Sequence, residues 1–195
     1  MLRLHLGITC LLLLALLVSA CQPLTIAPRI TSVTAIEITC RTMAGEEQEV
    51  DGVIHHRGQR DDGVVFAIDS RLDGVDTNLI DWDYVAATGG GTWMATTVIT
   101  PTVGGGTWVA QSAGYFGADI DGFHAVAYGT GEFAGLEIVL NGVGTELETA
   151  LALIAGNDRI VDGNPCAPMA REIDEASLWY GQIIDRRPVP HTPSQ

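Results

Sequence analysis

From residue 31 onward, β-branched, aliphatic and aromatic residues come in short alternating runs, broken by glycine, aspartate, asparagine or proline. Alternation with a period of two predicts strands with one buried face. In "TSVTAIEITC" it puts Ile36, Ile38 and Cys40 together. In "VVFAI" it groups Val64, Phe66 and Ile68, and in "GLEIVL" it sets Leu136, Ile138 and Leu140 against Glu137 and Val139. One-sided strands imply an antiparallel sheet with a wet face. The pattern predicts strands over 31–41, 48–57, 63–70, 75–86, 91–100, 106–116, 122–129, 135–143 and 176–185. Short turns between so many strands predict an all-β, up-and-down barrel of about eight strands, closed so that no sheet edge is left open. "ELETALALI" breaks the rhythm, and its Leu147, Leu151 and Ile154 spacing fits a short helix over Glu146 to Ile154, with a strand as the alternative.

"GGGTW" occurs twice, at Gly89 to Trp93 and Gly104 to Trp108. A phosphate-cradling glycine loop hands the chain to a helix and commonly has a lysine nearby. Here a strand follows each copy and the chain contains no lysine, so the glycines read as turns. In a hairpin, Trp93 and Trp108 each begin their own strand, fall toward opposite ends of the sheet and do not stack on each other.

The N-terminus has a different pattern. Arg3 precedes an apolar run from Ile8 to Val18, too short and wrongly flanked for a membrane span, which marks a signal peptide over residues 1–20. "VSAC" resembles the lipobox of bacterial lipoproteins. The resemblance implies cleavage before Cys21, acylation of that cysteine and an extracytoplasmic, membrane-anchored protein. Residues 21–30 then read as a lipidated tether, 31–187 as one barrel domain and 188–195, rich in proline, as a disordered tail. Of the remaining cysteines, Cys10 leaves with the leader, so Cys40 and Cys166 are expected to form a disulfide in an oxidising compartment.

Formal net charge is −14 and becomes one unit more negative once Arg3 is removed. Such a surface disfavours nucleic acid as a partner.

The stretch "YGTGEFAGLEIVLNG", Tyr128 to Gly142, resembles the glycine-punctuated turn and strand of the allene oxide cyclase and dirigent-like barrels, a calycin-like group. The resemblance implies a barrel; no catalytic residue of those families aligns with this chain. Glu132 and Arg71, in the stretches that carry the resemblance, are candidate ligand contacts if both point inward. Tyr128 and His124 are further candidates, as are Trp82, Trp93 and Trp108, which with Trp179 lie on predicted strands. His55 and His56 are adjacent and face opposite ways on a strand, Asp119 and Asp121 near His124 read as turn residues, and no metal site is expected. No nucleophile elbow, HExxH or P-loop is present, and no cofactor is implied.

Three readings remain open: a tethered module holding a small, partly apolar ligand; a cyclase or isomerase with Glu132 or His124 as proton carrier; and a structural lipoprotein forming homo-oligomers. An eight-stranded barrel is just wide enough to be filled or to hold one small ligand.

Overall fold

The structure, a computed structural model, describes residues 27–117, 121–160, 165–166 and 175–188. The expected signal peptide, the Cys21 lipidation site, Asp119 and nearly all of the C-terminal tail lie outside the described residues. Nine strands form one antiparallel sheet. They are β1 (Arg29–Met43), β2 (Glu46–Val50), β3 (Val53–Ala67), β4 (Gly74–Val85), β5 (Gly90–Pro101), β6 (Trp108–Phe116), β7 (Asp121–Gly129), β8 (Leu136–Thr145) and β9 (Glu175–Asp185), with helix α1 (Leu147–Leu153) after β8. From β3 to β9 each strand pairs with the next; β9 pairs with β1 and β1 with β3. This closes eight strands into the expected up-and-down barrel, and β2 extends β3 as an extra strand.

Two expected strand limits are corrected. The 48–57 strand is interrupted because Val50 pairs with Val53, leaving Asp51 (φ 53°) and Gly52 (φ 80°) as a two-residue turn. Positive φ at both turn residues is type I′ geometry, the form whose twist matches paired strands, and Asp-Gly is its preferred sequence. The polar run "GQRDD" over residues 58–62, expected to separate two strands, instead lies inside β3, which ends at Ala67 and leaves Ile68 93 % exposed. A bulge between His56 and Gln59 resets the strand's facing. Beyond it Gln59 and Asp61 face inward, whereas outward-facing Asp62 accepts hydrogen bonds from Arg41, Arg60 and Thr77.

The expected wet outer face is absent along much of β1 and β3. Ile36, Ile38, Cys40, Val64 and Phe66 form a single apolar cluster, but it lies on the outside of the barrel. α1 lies against it through fully buried Ala150, with Leu147 and Leu151 beside it. Past the helix, Arg159 pairs with Asp73 at 2.7 Å, donates to the carbonyls of Val65 and Gly74, and sits over the Phe66 ring. The Cys40–Cys166 disulfide joins the insertion to β1, with its Cα atoms 5.6 Å apart. The sequence grouped these side chains, but it also placed Ile68, which is exposed beyond the end of β3, with Val64 and Phe66, and it did not show that the common face points outward.

Inside, the two ends of the barrel differ. Ile99, Trp108, Phe133, Leu136, Ile138 and Ile183 belong to a packed cluster that fills one end. Trp108 stacks on Phe133 at 5.2 Å, and its Nε1 donates to the Arg71 carbonyl at 2.6 Å. Register places Trp108 opposite Ile99 and Trp93 opposite Gly114, at the two ends of the β5–β6 hairpin. The tryptophans are therefore apart, as expected.

A cross-link spanning 126 residues should contribute about 4 kcal/mol by restricting the unfolded chain. Replacing both Cys40 and Cys166 with serine is expected to lower the urea midpoint correspondingly; an unchanged midpoint would show that noncovalent docking of the insertion suffices.

Candidate functional site

The other end of the barrel is hollow, and strand register explains why. Trp93, Gly114, Phe123, Gly142 and Trp179 face one another in succession across β5 to β9. A β-carbon on Gly114 would collide with the Trp93 indole, and one on Gly142 with the Phe123 ring. The two glycines thus let aromatic rings lie flat against the neighbouring strand instead of standing across the lumen. One step deeper, Ala95, Ser112 and Ala125 are paired in register, and residues this small leave the centre open. The result is a cavity of about 690 Å³, within the range of small-molecule sites. Trp82, Tyr84, Trp93, Phe116, Phe123 and Trp179 form its aromatic wall.

The polar groups of the lining come from β1, β3, β4 and β9, and Trp82 and Trp179 are hydrogen-bonded to them. Trp179 Nε1 donates to Ser177 Oγ at 2.7 Å, and Ser177 Oγ donates to Glu37 Oε2 at 2.7 Å. An indole N–H can only donate, so it leaves the serine proton for the acid. Thr39 adds a second donor to Glu37 at 3.2 Å. The same logic recurs on the next strands. Trp82 Nε1 donates to Gln59 Oε1 at 3.0 Å, which turns Gln59 Nε2 toward Asp61 at 3.1 Å. Thr97 donates to Asn78 Oδ1 at 2.5 Å, and Asn78 Nδ2 donates to Asp76 Oδ2 at 2.8 Å. Each acid thereby faces a donor held by a second residue.

Burial is the largest influence on these acids. It pushes Glu37 up to about 7, against the hydrogen bonds from Ser177 and Thr39 and with the help of neighbouring Asp61 and Glu175. Burial raises Asp76 as well, reinforced by the charge of Glu37 and of Asp61 and Asp62, with Asn78 opposing. At the rim, burial raises Asp121. The arginine-paired acids behave oppositely. Arg187 holds Asp185 well below the usual carboxylate range, Arg71 lowers Asp69, and Arg57 and His55 lower Asp83.

Of the residues singled out from sequence, Trp82 and Trp93 line the cavity. Trp108 lies in the packed end. Arg71 sits in the β3–β4 turn, its guanidinium on Asp69 at 2.6 Å, and Glu132 is exposed in a short 3-10 turn at Gly131–Phe133. The inward Arg71–Glu132 arrangement is therefore absent. His124 and Tyr128 are on the outer surface of β7, His124 against Asn141 at 3.2 Å. His55 faces outward and bonds Asp83 at 2.7 Å, whereas His56 faces inward beside Trp82, their rings 4.5 Å apart. Among the described residues no cluster of three or more His, Cys, Asp or Glu side chains could hold a metal ion. Glu37, Gln59, Asp76, Asn78 and Ser177 were not anticipated. Their one signal in the sequence is polar residues alternating with aliphatic ones, which does not distinguish lumen from solvent.

The chain matches no protein-family model, no curated protein and no solved structure. The barrel that the resemblance implied is present, and what the cavity does must be argued from its own chemistry.

Because burial raises the Glu37 and Asp76 values, the folded chain holds protons that the unfolded chain has already released. Unfolding free energy therefore falls as pH rises from about 4.5 to about 7. For Glu37 the effect is about 3 kcal/mol. The lowered Asp69, Asp83 and Asp185 act in the other direction, losing their contribution only as pH falls below the ordinary carboxylate range. Urea unfolding should give a lower stability at pH 8 than at pH 5, with the difference reduced in Glu37→Gln. Equal stability at both pH values in the wild type would mean that these acids are solvated.

Proposed function

We propose that this protein is a membrane-anchored extracytoplasmic binding module: a lipoprotein, acylated on Cys21, whose barrel takes up one small, partly apolar ligand. The observation that carries the binding reading is the open cavity of about 690 Å³, lined by tryptophans and by oriented polar groups. Apolar walls with a few convergent polar groups are the usual makeup of a small-molecule site. The anchoring reading is supported by the charged start, apolar run and "VSAC" ending of the leader. Several acyl chains hold a protein to a bilayer far more firmly than one. The allene oxide cyclase and dirigent-like resemblance of residues 128–142 is in keeping with an up-and-down barrel, and the proposal takes no activity from it.

One observation favours a second reading, an enzyme of proton transfer. Glu37, held near 7 inside the cavity, is poised to donate and accept a proton at neutral pH. This reading moves the proton carrier from Glu132 and His124, both on the outside, to Glu37.

The binding proposal is tested with N-phenyl-1-naphthylamine, whose emission rises in apolar surroundings. One molecule is expected to bind per chain, and Ala125→Phe, which extends a ring into the hollow layer, should weaken binding at least about tenfold. No emission change with the wild type, or an unaffected variant, would place uptake elsewhere or remove it.

A further inference from the structure

Resting on the cavity reading, we infer that the ligand is an organic ammonium, its positive head beside Glu37 and Asp76 and its apolar body against the tryptophan wall. Three observations carry this.

The first is the charge inventory. No arginine, lysine or histidine is among the described residues that line the cavity. Every arginine among the described residues is ion-paired with a carboxylate that does not line it: Asp62, Asp69, Asp73, Asp83, Glu137 or Asp185. Glu37 and Asp76 are thus buried acids with serine, threonine and asparagine as their hydrogen-bonding partners. Burying an anion without a counter-charge is costly, and an anionic ligand would add to that cost.

The second is an unpartnered atom. Asp76 is 3 % exposed, and its Oδ1 has no hydrogen-bond partner although Oδ2 is bonded to Asn78. Oδ1 lies close against Gly63, the residue paired with Asp76 on β3. A β-carbon there would stand 2.5 Å from Asp76 Oδ1, 3.0 Å from the Ile38 carbonyl oxygen and 3.1 Å from Glu37 Oε1. Three acceptors thus crowd the position that a side chain at residue 63 would take, and acceptors gathered this closely suit an N–H-rich cation beside them, which carries three donors and no acceptor in a primary ammonium.

The third is the direction of the relays. Ser177 and Asn78 are set to donate to the acids, an arrangement that favours the ionised form over the protonated one. Burial opposes that form, and the described lining of the cavity contributes no positive charge. A bound ammonium would supply a positive charge, and the cavity's indoles, two of them hydrogen-bonded into these relays, add attraction for a cation and its apolar chain.

The test uses three probes with one body, 3-phenylpropylammonium, 3-phenylpropan-1-ol and 3-phenylpropanoate, titrated calorimetrically into the full-length protein in detergent at pH 8. The ammonium should bind at least about tenfold more tightly than the alcohol, and the carboxylate should be weakest. Glu37→Gln and Asp76→Asn, checked for native circular dichroism, should bring the ammonium down to the level of the alcohol. Gly63→Ala, which crowds the same acceptors, should weaken the ammonium with little effect on the alcohol. Equal binding of ammonium and alcohol by the wild type overturns the inference and leaves the cavity reading standing, a result independent of how any variant folds. Failure of all three probes together with N-phenyl-1-naphthylamine overturns the cavity reading itself.

Discussion

Backbone pairing between β1 and β3, from Ala35 opposite Ala67 to Met43 opposite Arg60, removes the two edges that an eight-stranded meander would otherwise expose. It also creates the interior. Until β1 meets β3, Glu37 lies on an edge strand in water; afterwards it faces Gly63 and Asp76 across a closed wall. The polar lumen is therefore a consequence of closure, and its cost of desolvation must be met by contacts elsewhere along the same ladder.

Those contacts lie on the outside. Ile36, Ile38, Val64 and Phe66 alternate with the polar interior residues of β1 and β3 and are covered by α1. Each buried aliphatic or aromatic side chain contributes about 1.5–3 kcal/mol, which offsets the raised acids on the opposite face of the same strands. The disulfide and the Arg159 contacts hold the cover in place. The hydrophobic layer has been moved from the lumen to the outer surface exactly where the lumen is polar, so site and stability share two strands without competing for one face.

On β5 to β8 the lumen is largely apolar, and its shape follows from side-chain size. Gly114 and Gly142 let Trp93 and Phe123 lie flat, Ala95 and Ala125 leave space below them, and Trp108 with Phe133 closes the far end. A hollow half over a filled half gives a cavity with a floor, and a floor is what lets a ligand's polar head and apolar body find different walls.

The alternation along the chain determined the strand content, the antiparallel meander and the placing of Trp93 and Trp108 at opposite ends of their hairpin, because period and turn chemistry are local; at Leu147–Leu153 it left helix and strand both open. It also grouped Ile36 with Ile38 and Cys40, and Val64 with Phe66. Local pattern could not determine which face of β1 and β3 is the lumen, since a strand covered on its outside and polar on its inside reads the same as the reverse. For that reason residues 58–62 fall between two expected strands and Glu37 and Asp76 do not stand out, whereas Arg71 and Glu132 stand out through the stretches that carry the resemblance. Only closure of the barrel, the bulge at His56 to Gln59 and the docking of α1 decided which side chains meet inside, because those contacts join residues far apart in the chain.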